Sequence, residues 1–382
     1  MTDGPLDFGD PADLERLRQD FRTWLAGHPL PERRPDEPVP AFLHRWHRIL
    51  HSGGWVGLDV PEEYGGRGLT PLHQVAVSDE LGACGAPGVP RIGYLAHALL
   101  RFGSEEQRRR LLPRMLSGDD VWCQGFSEPG AGSDLAGMST YGQRQPDGGY
   151  LVNGQKLWTS YAQYSDLCLL LARTDRSTPA HTSISAFVLP LDRPGVTVRP
   201  LRAANGDEEF CELFLDDVRL EEPERVGAEG DGWSLAMTTV SYERNALDTG
   251  HLSKYGLLVN RLRRTAHERG RSLPDGLLAR IGRCAVDYQV LVAHARHRTA
   301  QRLAGQVAGP ESSVDKLLMT RAEQRLYETA LLVFPDELHT EGGEVFTDYL
   351  YSRAASVYGG TSQIQRNIIA KRLLRLPADD RA

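Results

Sequence analysis

The sequence predicts an α+β chain of three successive parts: helical, then β, then helical again. Three observations predict it. Apolar residues recur at helical spacing as far as about Leu116, short apolar runs between Gly, Pro and Asp turns fill Val121 to about Arg225, and helical spacing returns after Gly232. The expected domains are an N-terminal α-helical domain over 1–118, a middle β domain over 119–226 and a C-terminal helical bundle over 227–382.

At the start, Leu14, Leu17, Phe21 and Trp24 sit three and four apart, the stripe of an amphipathic helix. The proline cluster from Pro29 to Pro40 and the turn Pro61-Glu62-Glu63-Tyr64-Gly65-Gly66 interrupt the helical region. In the middle part, Leu167-Cys168-Leu169-Leu170-Leu171 and Ala186-Phe187-Val188-Leu189 have the length and composition of buried strands. Asn153-Gly154 reads as a hairpin turn that delivers Lys156-Leu157-Trp158-Thr159-Ser160 on the returning strand. In the last part, Leu278, Ile281, Ala285, Tyr288, Val292 and Ala295 mark a long helix.

A chain of 382 residues can bury a sizeable core, and a net charge of -7 offers no basic surface for nucleic acid or anionic lipid. Cys84, Cys123, Cys168, Cys211 and Cys284 are scattered and form no CxxC pair, so neither a disulfide framework nor a metal site is expected. The acidic N-terminus lacks the basic start and apolar stretch of a signal peptide, and no run has the apolar length of a membrane span. Small-molecule chemistry in the cytoplasm is the expectation.

Three segments are candidates for that chemistry. Cys123-Gln124-Gly125-Phe126-Ser127-Glu128-Pro129-Gly130-Ala131-Gly132-Ser133-Asp134 follows a strand and offers hydroxyls and backbone N–H groups to a flat polar ring or a phosphate. Its composition equally suits a surface turn, and it lacks the GxGxxG spacing of a dinucleotide fingerprint. Trp158, beside Thr159 and Ser160, could cover an aromatic cofactor or simply fill the sheet core. Tyr358-Gly359-Gly360-Thr361-Ser362-Gln363 breaks one helix and starts another with Thr361 as N-cap, either an anion site or an ordinary corner between helices.

Taken together and in this order, the SEPGAGSD loop, the KLWTS strand and the YGGTSQIQRNIIAKRLLRLP terminus resemble the acyl-CoA dehydrogenase family. The resemblance extends to PEEYGGRGLTPLHQVAVSDELGACGAP and so covers nearly the whole chain. It implies an N-terminal helical domain, a middle β domain and a C-terminal four-helix domain, with FAD held between the last two. Carried over residue by residue, Phe126 and Ser127 would face the flavin pyrimidine, and Trp158 with Ser160 would flank the ring. Thr361 and Gln363 would hold the adenine-nucleotide half, with Gln124, Thr159 and Ser362 beside them in the cofactor site. Ser133 would touch both cofactor and the CoA or pantetheine arm, and Ser241, Arg244 and Gly360 would complete the substrate site.

The implied reaction is desaturation of an acyl thioester, carried by CoA or by an acyl carrier protein, with electrons leaving to an electron-transfer flavoprotein. The short- and medium-chain members place the catalytic glutamate immediately before the second glycine of the C-terminal motif, where this chain has Gly359. The isovaleryl-type and long-chain members place it on an earlier helix, at the position of Glu243. Glu243 lies three residues after Val240 and four before Leu247, on a largely apolar face, although a solvated glutamate paired with Arg244 fits the helix as well. The amide of Gly359 could still polarise the thioester carbonyl.

Two family segments that reach the FAD of a neighbouring subunit, Arg-x-x-Phe-Gly and Gln-x-x-Gly-Gly, have no counterpart in Leu257 to Gly270 or Leu331 to Gly343. The family also implies an oligomer, a homodimer or homotetramer, or a complex with a homologous chain. The rival readings are a catalytically silent partner subunit and a flavin monooxygenase on the same scaffold.

Overall fold

The structure is a computed structural model that describes residues 12–88, 93–243, 251–303, 309–338 and 343–377, without the side chains of 241–243, 251, 271 and 302–303. The described residues fall into two compact units that interleave along the chain. One draws on Met1–Leu30, Thr70–Val89 and Glu243–Ala382, the other on Pro31–Leu69 and Pro90–Tyr242.

The first unit is helical. It contains α1 (Ala12–Gly27), α3 (Pro71–Ala83), α7 (His251–Arg269), α8 (Asp275–Leu303), α9 (Ser312–Val333), α10 (Glu344–Ser352) and α11 (Ser362–Ile368). The stripe read from the sequence of α1 is the face it buries, through Leu14, Leu17 and Phe21. Arg18 on the same face is buried too, and it is accommodated because its guanidinium pairs with Asp79 at 3.0 Å and Glu80 at 3.1 Å on α3. The core joins Val75 of α3 to Tyr255, Val259 and Leu262 of α7, Ile281, Val292 and Ala295 of α8, and Leu326 and Ala330 of α9. Ala285 and Tyr288, from the same α8 stripe, pack against that core partly buried.

The second unit carries α2 (Val39–Ser52), α4 (Gly93–Phe102), α5 (Glu105–Ser117) and α6 (Gly232–Glu243) around one sheet of β1 (Trp122–Gly125), β2 (Tyr141–Arg144), β3 (Tyr150–Ser160), β4 (Leu167–Arg173), β5 (Ile184–Pro190), β6 (Val196–Leu201), β7 (Phe210–Leu220) and β8 (Arg225–Val226). Only position 243 of α6 falls in the other unit. The strand order is β6-β7-β3-β2-β4-β5-β8, with β1 parallel to β4. The two apolar runs become β4 and β5, paired antiparallel from Leu167↔Pro190 to Arg173↔Ile184. Their inward residues Cys168, Leu170, Phe187 and Leu189 share a core with Val152, Leu213 and Val218. No helix among the described residues is long and apolar enough to cross a membrane.

Asn153-Gly154 is not a hairpin turn. The turn between β2 and β3 is at 145–149, closed by Gln145 N to Gly149 O at 2.7 Å, and β3 runs straight through Asn153 and Gly154. There the register against β7 shifts, and Asn153 bonds Asp217 through its Nδ2 at 2.8 Å. Glycine is needed at 154 for a different reason: a Cβ would lie 2.4 Å from Thr140 Oγ1.

Candidate active site

Strand β3 places the first candidate group. Tyr150, Val152 and Lys156 turn inward at even spacing, and continuation of that period would bury Trp158. A bulge intervenes. Lys156 pairs with Leu213 and Thr159 with Cys211, so Leu157 and Trp158 together oppose Glu212. The extra residue turns Thr159 inward and puts Trp158 on the surface at 59% exposure, edge-on to Phe210 with ring centres 5.7 Å apart. Trp158 also adopts φ 62, a left-handed conformation that costs an L residue about 1–2 kcal/mol. The core-filling reading of Trp158 is therefore excluded. A large ring held exposed on strained backbone suits contact with a flat ligand.

The loop after β1 is tied to this strand. Leu157 N donates to Ser127 O at 2.9 Å, and Glu128 and Ala131 exchange backbone bonds of 3.1 Å that close a tight turn. Beneath it lies a buried ion pair: Lys156 Nζ is 2.7 Å from Glu128 Oε1 and 3.2 Å from Phe126 O. Glu128 accepts further bonds from Ser139 N at 2.6 Å, Ser139 Oγ at 2.7 Å and Thr140 N at 3.0 Å. Burial raises the Glu128 pKa, but the Lys156 charge and these donors more than reverse it and hold the carboxyl at about 2. Burial lowers the pKa of the Lys156 ammonium, and Glu128 offsets part of that effect.

Phe126 is 4% exposed and packed into the protein, whereas Ser127 is half-buried and Ser133 exposed. Gln124 Oε1 and Thr159 Oγ1 are buried with no hydrogen-bond partner among the described residues. Such orphaned atoms need a donor from elsewhere. Gln124 is half-buried as a residue, three positions before the half-buried Ser127. Thr159 lies wholly within the sheet core, away from any accessible surface.

The C-terminal corner folds as its sequence indicates. Gly359 and Gly360 take φ 62 and 92, and Thr361 Oγ1 caps α11 by accepting from Ile364 N at 3.2 Å. Gln365 Nε2 donates to the carbonyls of Gly359 at 2.9 Å and Gly360 at 3.1 Å, fixing the two peptide planes. Ser362 is half-buried and Gln363 exposed. Helix α11 runs on without a break into a turn of π-helix at Ile369–Leu373. A Cβ at 359 would lie 3.8 Å from Lys316 Nζ, which bonds Ala355 O at 2.7 Å and sits 4.0 Å from the Tyr358 ring centre.

Glu243 closes α6, on which positions 235, 236 and 239 are buried. Positions 242 and 243 follow at the same three- and four-residue spacing. The side chains of Ser241 and Glu243, and all of Arg244, lie outside the described residues. The roles of Lys156, Lys316 and Gln365 were not anticipated from the sequence. For Lys156 a signal existed: the alternation from Tyr150 and Val152 puts a lysine inward, which demands a buried partner.

Family models of the acyl-CoA dehydrogenase N-terminal, middle and C-terminal domains match residues 11–119, 123–218 and 230–374. The chain is 37% identical to acyl-CoA dehydrogenase IpdE1 of Mycobacterium tuberculosis, over 96% of this chain and 99% of that protein. Among solved structures it resembles the Tcur3481-Tcur3483 steroid ACAD, with a TM-score of 0.86 at 25% identity, covering 98% of this chain and 100% of that one. It also resembles the ChsE4-ChsE5 complex of Mycobacterium tuberculosis, with a TM-score of 0.83 at 29% identity, covering 97% of this chain and 99% of that one. With all three domain models matched in order and the helical, β and helical parts in place, the chain belongs to the acyl-CoA dehydrogenase family of FAD-dependent oxidoreductases.

Proposed function

We propose that the protein desaturates an acyl thioester between its α and β carbons, with Glu243 as the base. The observation that carries the base assignment is a pair of positions. Gly359 has no side chain where short- and medium-chain relatives carry glutamate, and position 243 continues the buried spacing of α6. Desolvation of a carboxylate at that position would make it basic enough to take the α proton. The Gly359 N–H would polarise the thioester carbonyl, and Gln365 fixes the peptide plane that follows it.

FAD, when bound, supplies the acceptor for the β hydride. The chain's own residues would hold it noncovalently: Ser127 and the orphaned Gln124 Oε1 at one edge, exposed Trp158 and Ser160 against the ring, and Thr361, Ser362 and Gln363 at the nucleotide end. Ser133 would meet the carrier arm, with Ser241, Arg244 and Gly360 near the acyl end. Electrons would leave to an electron-transfer flavoprotein. The domain limits 1–118, 119–226 and 227–382 belong to the same reading.

Replacing Glu243 with Gln should leave FAD bound and slow anaerobic flavin reduction by roughly two to three orders of magnitude, the scale for losing a general base. Near-wild-type reduction would eliminate Glu243. A second reading is a partner subunit without its own turnover. Gly359 and the likeness to ChsE4-ChsE5, a complex of two named chains, favour it. It requires that FAD uptake or turnover appear only after a homologous chain is added.

A further inference from the structure

Resting on the FAD-binding reading above, we propose that the buried Lys156–Glu128 pair is a positioning device that locks the flavin-facing loop to the strand carrying Trp158. Lys156 occupies the last regular position of β3 before the bulge that exposes Trp158. Its ammonium holds two points of the loop at once, the Phe126 carbonyl and the Glu128 carboxylate. The next residue, Leu157, takes the Ser127 carbonyl. Consecutive carbonyls of the loop are thus turned towards β3, and because a peptide unit is planar and trans, the Ser127 N–H points the opposite way, away from Lys156. Glu128 extends the lock to Ser139 and Thr140 at the far end of the loop.

A brace for stability alone would be better built from apolar side chains. Burying two charges costs about as much as their attraction returns, whereas a charge pair with all its bonds made tolerates only one geometry. Lys156 is 0% exposed and touches no ligand surface itself, so it acts through Ser127 and Trp158.

The full-length chain tests this with FAD titration into deflavinated protein, the absorbance spectrum of the bound flavin, and circular dichroism. Wild type is read first: a chain that takes up no FAD, alone or with a homologous partner, removes the cofactor reading and this inference together. The double variant Lys156→Met, Glu128→Gln leaves no unpaired buried charge. It should retain the wild-type dichroism, bind FAD ~10- to 100-fold more weakly, as when groups orienting a site are lost, and show a displaced flavin band. Unchanged affinity and spectrum, with only a lower melting temperature, would reduce the pair to a structural brace and overturn the proposal. Should the double variant not fold, Lys156→Arg keeps the charge but replaces two contacts from one nitrogen with those of a planar fork. Wild-type affinity and spectrum in that variant would overturn it equally.

Discussion

Trp158 combines an exposed ring with a backbone conformation that glycine would adopt more easily, and the two properties can be separated by substitution. Trp158→Ala removes the ring and keeps the strain, whereas Trp158→Gly removes both. In urea denaturation of the deflavinated chain the glycine variant should be the more stable of the two, by about 1 kcal/mol, while both alter the flavin spectrum. The reverse order would mean that the left-handed turn is not strained. Titrating groups give a second test. Burial pushes the His47 imidazole down to about 4 despite its bond to Leu116 O, so it is neutral in the fold. Its contribution is present above the ordinary value of 6.5 and is lost as pH falls through 4. Glu128 follows lower, with its contribution full above 4.5 and lost as pH falls towards about 2. Urea midpoints should therefore decline below pH 6.5, and His47→Gln should flatten the upper part of that decline.

Helix α5 shows how one element is held at its start. Ser104 Oγ accepts from Gln107 N at 3.1 Å, Gln107 Oε1 accepts from Ser104 N at 3.0 Å, and Gln107 Nε2 reaches the carbonyls of Pro223 at 2.8 Å and Arg225 at 2.9 Å. Ser104→Ala should cost ~1 kcal/mol of stability. Gln107→Ala should cost about 2 kcal/mol, since it also strands two carbonyls, and chemical denaturation would rank the two. Elements of this size were the most legible part of the sequence. The stripes of α1 and α8, the runs of β4 and β5, and the Thr361 cap are all local patterns, and each folds as its spacing indicates. What escaped depends on partners distant in the chain. Asn-Gly marks a bend of the backbone without saying whether a turn or a bulge uses it, and the approach of Thr140 decides. The bulge at Trp158 is set by register against β7, some fifty residues later. Lys156 and Glu128 are 28 residues apart, so neither announces the other.

At the scale of the whole molecule, α8 leaves Val286 and Val290 exposed at 57% and 48%, and Leu374 and Leu376 near the C-terminus are exposed as well. Such apolar surface suits contact between subunits. Light scattering should find at least a dimer, of this chain or with a homologous one, and a fully active monomer would contradict that. The interleaving of the two units has a different consequence, for biosynthesis. A ribosome delivers α1 and α3 early, but the helices that complete their unit, α7 to α9, begin only at His251. Until then Leu14, Leu17 and Phe21 have α3 to cover them, and Val75 has no core to join. A chain ending near residue 243, once clear of the ribosome, should hold a protease-resistant sheet unit while its first helix is still cut, and synthesis of the last third should make that helix resistant.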